Sequence, residues 1–292
     1  MVSRREFGVV SATVVGAAAL GNVDKCIGSI NEADFQSKFL QTQLKAVKQD
    51  VYAIKHIKNP SEQVQLEAVK QNGHLIQYIK NPSERVQLEA AKKDGFALRH
   101  IDNPSEQVQL AAVKQNGYAI CYIKNPSKQV QLAAINKHVC AFTHIKNPSE
   151  QVQLAAVKQD GSAIYCIDNP SEQVQLAAVK QSGSAIYHIK NPSKQVQLAA
   201  VKQSGSAFRY IKNPSEQVQL AAVKQDGYML KYVKKPSEQI KLEALKQNGH
   251  IIQHIENPSE ELQLVAVKQN KSSIVYIQSP TQKTKDLFCS LA

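Results

Sequence analysis

Membrane-spanning runs, catalytic motifs and a disulfide framework are all missing from this chain, and each absence narrows what it can do. Beyond Leu20 no stretch is apolar enough to cross a bilayer. No glycine-rich phosphate loop, no nucleophile beside a base and no metal-ligand motif occurs in it. The five cysteines, Cys26, Cys121, Cys140, Cys166 and Cys289, are odd in number and irregularly placed, which gives no disulfide scaffold. His138, Cys140, His144 and Cys166 invite a metal reading, but their spacing is not that of zinc ligands, and small buried or half-buried side chains account for the cysteines better. The expectation is a protein without catalysis, cofactor or metal.

What the chain does have is a period. Its eleven prolines, Pro60, Pro82, Pro104, Pro126, Pro148, Pro170, Pro192, Pro214, Pro236, Pro258 and Pro280, stand 22 residues apart with no insertion or deletion. A fixed period of that length marks a solenoid. The repeat from Asn169 to Lys190 contains the parts. Asn169 suits an N-cap, Pro170 the first helical position, and Glu172 the third position of a capping box. Gly183 is expected to supply the left-handed residue that ends a helix of about a dozen residues. Ala185, Ile186 and Ile189 then describe a short second helix. Helices below about 12–15 residues are marginal alone in water, so stacking on neighbours must stabilise both. The expected fold is all-α, a right-handed α-solenoid of about eleven 22-residue repeats, each with one long and one short helix.

The ends differ from the array. Ser3-Arg4-Arg5-Glu6-Phe7 precedes an uncharged run from Gly8 to Leu20, and together they resemble a twin-arginine export signal, with Gly8 and Val9 departing from that pattern. The alternative for residues 1–21 is an apolar N-terminal helix that covers the first face of the solenoid. Residues 22–36 read as a polar joint, 37–278 as the array and 279–292 as a capping helix with Leu287, Phe288 and Leu291. The array is entered through a degraded repeat in which Lys38 and Val51 replace Pro and Gly. A true export signal would place the protein in the periplasm or at the cell surface; otherwise it belongs in the cytoplasm, its own or a host's. Within the array, the repeat from Pro126 is the most irregular, with Asn136-Lys137-His138-Val139-Cys140 where others read Lys-Gln-Asn-Gly-Tyr. A bend or break, if the array has one, is expected there.

Two surfaces follow from the helical phase. On the long helix, Val174, Leu176, Ala178 and Val179 form a broad apolar arc. Gln175 lies within it, one of a row of glutamines expected either to form an amide ladder or to satisfy loop carbonyls. The opposite face carries a lysine in nearly every repeat, and Lys70, Lys92, Lys114, Lys158, Lys180, Lys202 and Lys224 are the candidate anion-binding row. The net charge of +12 is spread along the whole array, one positive charge per consensus repeat. It serves solubility or forms a long, weakly cationic surface. On the short helix the outward residues change from repeat to repeat, and Tyr118, Tyr165, Tyr187, Arg209, Tyr228 and Lys231 are the candidate partner-binding residues. A Tyr/His row beside them, including Tyr122, His144, His188 and Tyr210, reads as packing at the edge of the layer.

The residues Asn169-Pro170, Val174-Gln175, Ala177-Ala178 and Gly183 resemble the Asp-Pro, Val-Arg, Ala-Ala and terminal Gly of bacterial HEAT repeats and of the leucine-rich repeat variant. The Val-Lys-Gln-Asn-Gly ending is similar to a HEAT-like repeat family of unassigned function from bacteria and large viruses. Two features depart from these patterns: Gln replaces the Arg, and 22 residues is short for a HEAT unit. The resemblance implies a superhelix with the longer helices on the concave side, and binding without chemistry.

Two functions compete at this stage. The first is a monomeric, non-catalytic scaffold that binds another protein. The second is sequence-independent binding of nucleic acid or another polyanion through the lysine row. The paired arginines generate a separate prediction. Arg4→Lys with Arg5→Lys should hold the protein in the cytoplasm of a bacterial host equipped for twin-arginine export. Fractionation and N-terminal sequencing check it, and an intact Met1 end on the unaltered protein would reject the export reading.

Overall fold

The computed structural model describes residues 31–291, which divide into two compact units, one ending at Lys93 and one beginning at Asp94. The arginine-containing segment and residues 22–30 of the joint lie outside the described residues. The division falls two repeats away from the irregular Pro126 repeat, which lies within the second unit.

The first unit contains α1 (Glu32–Gln49), α2 (Glu62–Gln71) and α3 (Glu84–Lys93), with short helices at Val51–His56 and Gly73–Tyr78. Helix α1 starts earlier than the repeat register suggests, because the Asn31 side chain caps it at the Ala33 N–H and Glu32 and Asp34 sit in its first turn. The second unit contains α4 (Glu106–Gln115), α5 (Lys128–Lys137), α6 (Glu150–Gln159), α7 (Glu172–Gln181), α8 (Lys194–Gln203), α9 (Glu216–Gln225), α10 (Glu238–Gln247), α11 (Glu260–Gln269) and α12 (Gln282–Ser290). A short helix precedes each of these, beginning with Gly95–His100. In both units each long helix packs on the next, so the architecture is an all-α solenoid as expected.

The local chemistry of the repeat differs from the expectation at three points. Helix α7 begins at Glu172 and its N-cap is Ser171, whose hydroxyl accepts from the Val174 N–H. Asn169 is therefore no cap. It sits at φ 50°, as do its counterparts in most repeats within a few degrees. A residue before proline cannot continue a right-handed helix, and the chain turns here through the left-handed region, which a short polar side chain tolerates best. Lys235 occupies the same conformation at φ 52° without that advantage.

Glu172 likewise forms no capping box. As the first helical residue its carboxylate accepts from the hydroxyl of Ser193, the cap of the following helix. Ser127 and Ser171 reach back in the same way to Glu106 and Glu150. Where the residue one repeat back cannot accept, at Leu40, Lys128 and Lys194, the serines that would reach it, Ser61, Ser149 and Ser215, make no side-chain cap. The carboxylate of one repeat thus orients the cap of the next. Ser237, beside Lys235, is the exception: Glu216 stands one repeat back, yet its hydroxyl is buried without a partner.

The third correction concerns glycine. No described glycine has a positive φ. Gly183 begins a six-residue 3₁₀ helix, and the long helix before it ends on Ser182 in extended conformation. Three residues per turn line up Gly183, Ile186 and Ile189 on one edge, and all three are buried. Glycine is needed there for space: a Cβ on Gly161 would come within 2.6 Å of the Ala178 carbonyl oxygen in the next repeat, and one on Gly183 within 2.7 Å of Ala200 O. Its N–H uses the same approach, because Gly161 donates to Gln181 Oε1 at 2.7 Å and Gly183 to Gln203 Oε1 at 2.6 Å.

Val174, Ala178 and Val179 are completely buried, whereas Leu176 is only half-buried and stands outside the core. The glutamine row is structural and chooses the loop carbonyl over a ladder. Gln175 Nε2 donates to Pro170 O at 2.9 Å, and Gln109 and Gln131 do the same to Pro104 and Pro126. The bond forms whether or not the serine hydroxyl takes the helix N–H, since Gln153 and Gln219 also donate to Pro148 and Pro214 O at 3.0 Å. At the end of the second unit Thr284 replaces the core valine and bonds Gln263 Oε1 at 3.2 Å. Lys283 and Glu260 pair there at 2.7 Å, and the lysine's hydrogen bond holds the carboxyl below its ordinary range.

The close approach predicts graded effects of adding one methyl group. Gly161→Ala should destabilise the second unit by about 1–3 kcal/mol, the usual penalty of overpacking. Gly205→Ala should cost less, because the nearest atoms to its new Cβ are side-chain carbons at 3.2 Å and the carbonyl is 3.5 Å away. Urea titration of both variants checks the order, and equal midpoints would refute the close-approach account.

Candidate functional site

The first candidate surface is the face of the long helices that carries the lysines. Lys158, Lys180 and Lys202 lie in the last turns of α6, α7 and α8, where an ammonium also complements the helix dipole. All three are exposed, as are Lys114 and Lys224, and none of the five makes an ion pair among the described residues. These five have no carboxylate one turn earlier on their own helix. Ala111, Ala155, Ala177, Ala199 and Ala221 precede these lysines by three positions, whereas Lys92 and Lys246 follow Glu89 and Glu243 and pair with them at 2.9 and 3.5 Å. Lys92 therefore departs from the expected row of unpaired cations. Lys70, in the first unit with Lys92, is exposed and makes no ion pair among the described residues.

Between these helices run grooves that were not anticipated. The α7/α8 groove is floored by Leu176, Leu198 and Ala199 and walled by Lys180, Lys194, Gln195 and Lys202. The α6/α7 groove repeats the pattern with Leu154, Leu176, Lys158 and Lys180, and also includes Glu172, whose carboxylate is engaged by Ser193. The sequence signal was available in the phase of the leucine. Leu176 lies between the buried Val179 and the exposed Gln173 on the helical wheel, the position of a side chain that lines an edge.

The second candidate surface is the outer edge of the short helices, and here the structure brings the predicted residues together in the second unit. Tyr165 and Tyr187 are the most exposed tyrosines described, at 74% and 67%. The Tyr165 ring meets His188 at 5.2 Å, His188 meets Tyr187 at 5.0 Å, and Tyr187 meets Tyr210 edge-on at 5.4 Å. Arg209 bridges Tyr210 and Tyr232 at 5.9 and 5.6 Å, and Lys231 lies over Tyr232 at 5.0 Å. A continuous ribbon of rings and cations thus links neighbouring repeats. Tyr228 stands apart from these contacts, its hydroxyl accepting from Asn248 Nδ2 at 2.9 Å.

Tyr118 belongs to a different arrangement, built on the irregular repeat. Its ring stacks on His138 at 5.1 Å and meets His144 at 6.3 Å. The neighbouring Cys140, through hydrogen bonding first and the repulsion between the two ionised forms second, pushes the Tyr118 hydroxyl up from its ordinary value. Burial, with a smaller contribution from Cys140, raises the Cys166 thiol. These groups do not converge: among the described residues no group of three or more His, Cys, Asp or Glu side chains is placed to hold a metal. His138 has a structural task instead. Lys137 replaces the glutamine that elsewhere accepts the glycine N–H, and His138 Nδ1 accepts from Gly117 N at 3.1 Å in its place. The paired departures at 137 and 138 were the signal for this exchange.

Comparison with family models, with curated proteins and with solved structures gives no match.

The acceptor exchange is testable. His138→Ala should leave the Gly117 N–H without a partner and cost about 1–3 kcal/mol. Adding Lys137→Gln should recover most of the loss, because it restores the acceptor used at Gly95, Gly161, Gly183 and Gly249. Thermal melts of the single and double variants decide this, and a double variant no more stable than the single would exclude the exchange.

Proposed function

We propose that this protein is a non-catalytic scaffold that binds another protein through the outer edge of its short helices. The observation that carries the reading is the exposed ribbon from Tyr165 through Tyr187 and Arg209 to Lys231. Tyrosine and arginine are the residues that most often anchor protein interfaces, and here they are held in place by their neighbours before any partner arrives. Their identity varies by repeat, so the surface can select. The buried residues, in contrast, follow the repeat and serve the stacking. The HEAT-like assignment belongs with this proposal, supported by the Asn-Pro, Val-Gln and Ala-Ala positions of the repeat. Among the described residues no helix is long and apolar enough to cross a membrane.

A second reading, binding of nucleic acid or another polyanion, is favoured by one observation: Lys114, Lys158, Lys180, Lys202 and Lys224 lack intramolecular ion partners among the described residues. The two readings respond differently to salt. Duplex binding should weaken linearly in log salt, with a slope of about −0.9 for each phosphate neutralised.

The first reading predicts the behaviour of Tyr165→Ala combined with Tyr187→Ala. Both side chains are exposed, so the melting temperature should barely move. Affinity for the captured partner, isolated with nuclease present, should fall by about 2 kcal/mol or more, the scale of an interface hot spot. Undiminished affinity would remove the ribbon from the interface.

A further inference from the structure

We propose that the long-helix face of α6 to α9 is a groove for an acidic polypeptide segment in the polyproline II conformation, with one acidic and one apolar residue in each successive three. The inference extends the scaffold reading to a second surface and names the chemistry of its ligand. It does not depend on the short-helix ribbon.

Charge and shape identify the ligand. In the α7/α8 groove the ammonium groups of Lys180, Lys194 and Lys202 surround a floor made by Leu176 and Leu198, so the surface offers cations at the rim and an apolar pit between them. Carboxylates suit the rim and an aliphatic side chain suits the pit. Gln195 lines the same groove, and its amide can both donate to and accept from a passing main chain. A nucleic acid fits less well. Single strands are held by stacking bases on aromatic rings as well as by cations, and the groove residues include no aromatic side chain.

The spacing selects the conformation. Neighbouring packed helices lie about 8–10 Å apart, so equivalent lysines recur on roughly that interval. A β-strand advances about 3.3 Å per residue and alternates its faces, so residues three apart point in opposite directions. Polyproline II has three residues per turn and rises about 3.1 Å per residue, which returns the same face to the groove about every 9 Å. Its backbone makes no internal hydrogen bonds and so remains open to the glutamine amides. Lys158, Lys180, Lys202 and Lys224 follow one another at the 22-residue period without a gap, which fits four turns of such a ligand.

The test uses the full chain and a fluorescent twelve-residue peptide, Glu-Leu-Pro repeated four times, followed by anisotropy. Proline favours the required backbone at its own position and at the one before it. Saturable binding is expected, lost with Lys in place of Glu and weakened when the same residues are rearranged to place the acids two or four apart. Lys158→Glu, Lys180→Glu and Lys202→Glu together should weaken binding about tenfold or more, since three exposed ion pairs become repulsions. Because these side chains are exposed, the triple variant should retain its melting temperature, and circular dichroism monitors that. Leu176→Ser should also weaken the peptide while leaving any tyrosine-dependent partner unaffected. No binding, binding indifferent to acid spacing, or tighter binding of a thymidine oligonucleotide of matched length would overturn the proposal. Those outcomes leave the ribbon reading intact, because Tyr165 and Tyr187 are tested separately.

Discussion

The contact on which the stacking depends is the one made where two backbones nearly touch. A glycine at the start of a short helix presents its N–H to the side chain that ends the following long helix, as Gly95 does to Gln115, Gly161 to Gln181, Gly183 to Gln203 and Gly249 to Gln269. The same glycine leaves no room for a Cβ against the carbonyl of that helix. A hydrogen bond fixes the rotation of one repeat about the next, and the missing side chain fixes their distance. Dispersion and apolar burial act on what that register brings together, namely the valine, alanine and isoleucine positions that are fully buried.

Much of this was legible in the sequence because a period of 22 residues leaves little freedom. The alternation of a long with a short helix, and the core positions Val174, Ala178 and Val179, followed from spacing alone. The local roles of Asn169, Glu172 and Gly183 did not, for a common physical reason. Each residue type has a familiar use within a single helix, as cap, box or terminator, and each is used here for a relation to its neighbours in space. Glu172 serves the serine of the next repeat, and Gly183 serves the carbonyl of the next helix. A sequence read one helix at a time reports the intrahelical use. Reading substitutions in pairs does better, since Lys137 with His138 reveals the cross-repeat acceptor.

The candidate surfaces divide along the same line. Tyr165, Tyr187, Arg209 and Lys231 could be named from their variation among repeats, and the structure joins them through ring and cation contacts. The lysines could be named from their regularity, but which of them pair had to be seen in the structure, since Lys92 pairs with Glu89 while Lys70 does not pair with Glu67, which accepts from Gln71. The grooves between long helices required three dimensions, because Leu154, Leu176 and Leu198 pass for core residues until their half-exposure is seen.

The serine-to-glutamate links have a consequence for how the second unit yields. In a stacked array, stability is close to a sum of repeat terms and nearest-neighbour terms, so a missing link weakens one joint and leaves the others alone. Lys128 and Lys194 remove the acceptor at the α5/α6 and α8/α9 joints. Helices α6, α7 and α8, which carry both leucine-floored grooves, are therefore bracketed by two joints that lack this link. Within the block the register of one groove to the other is kept by Ser171–Glu150 and Ser193–Glu172, so the loss of a link falls at its ends and not between the grooves.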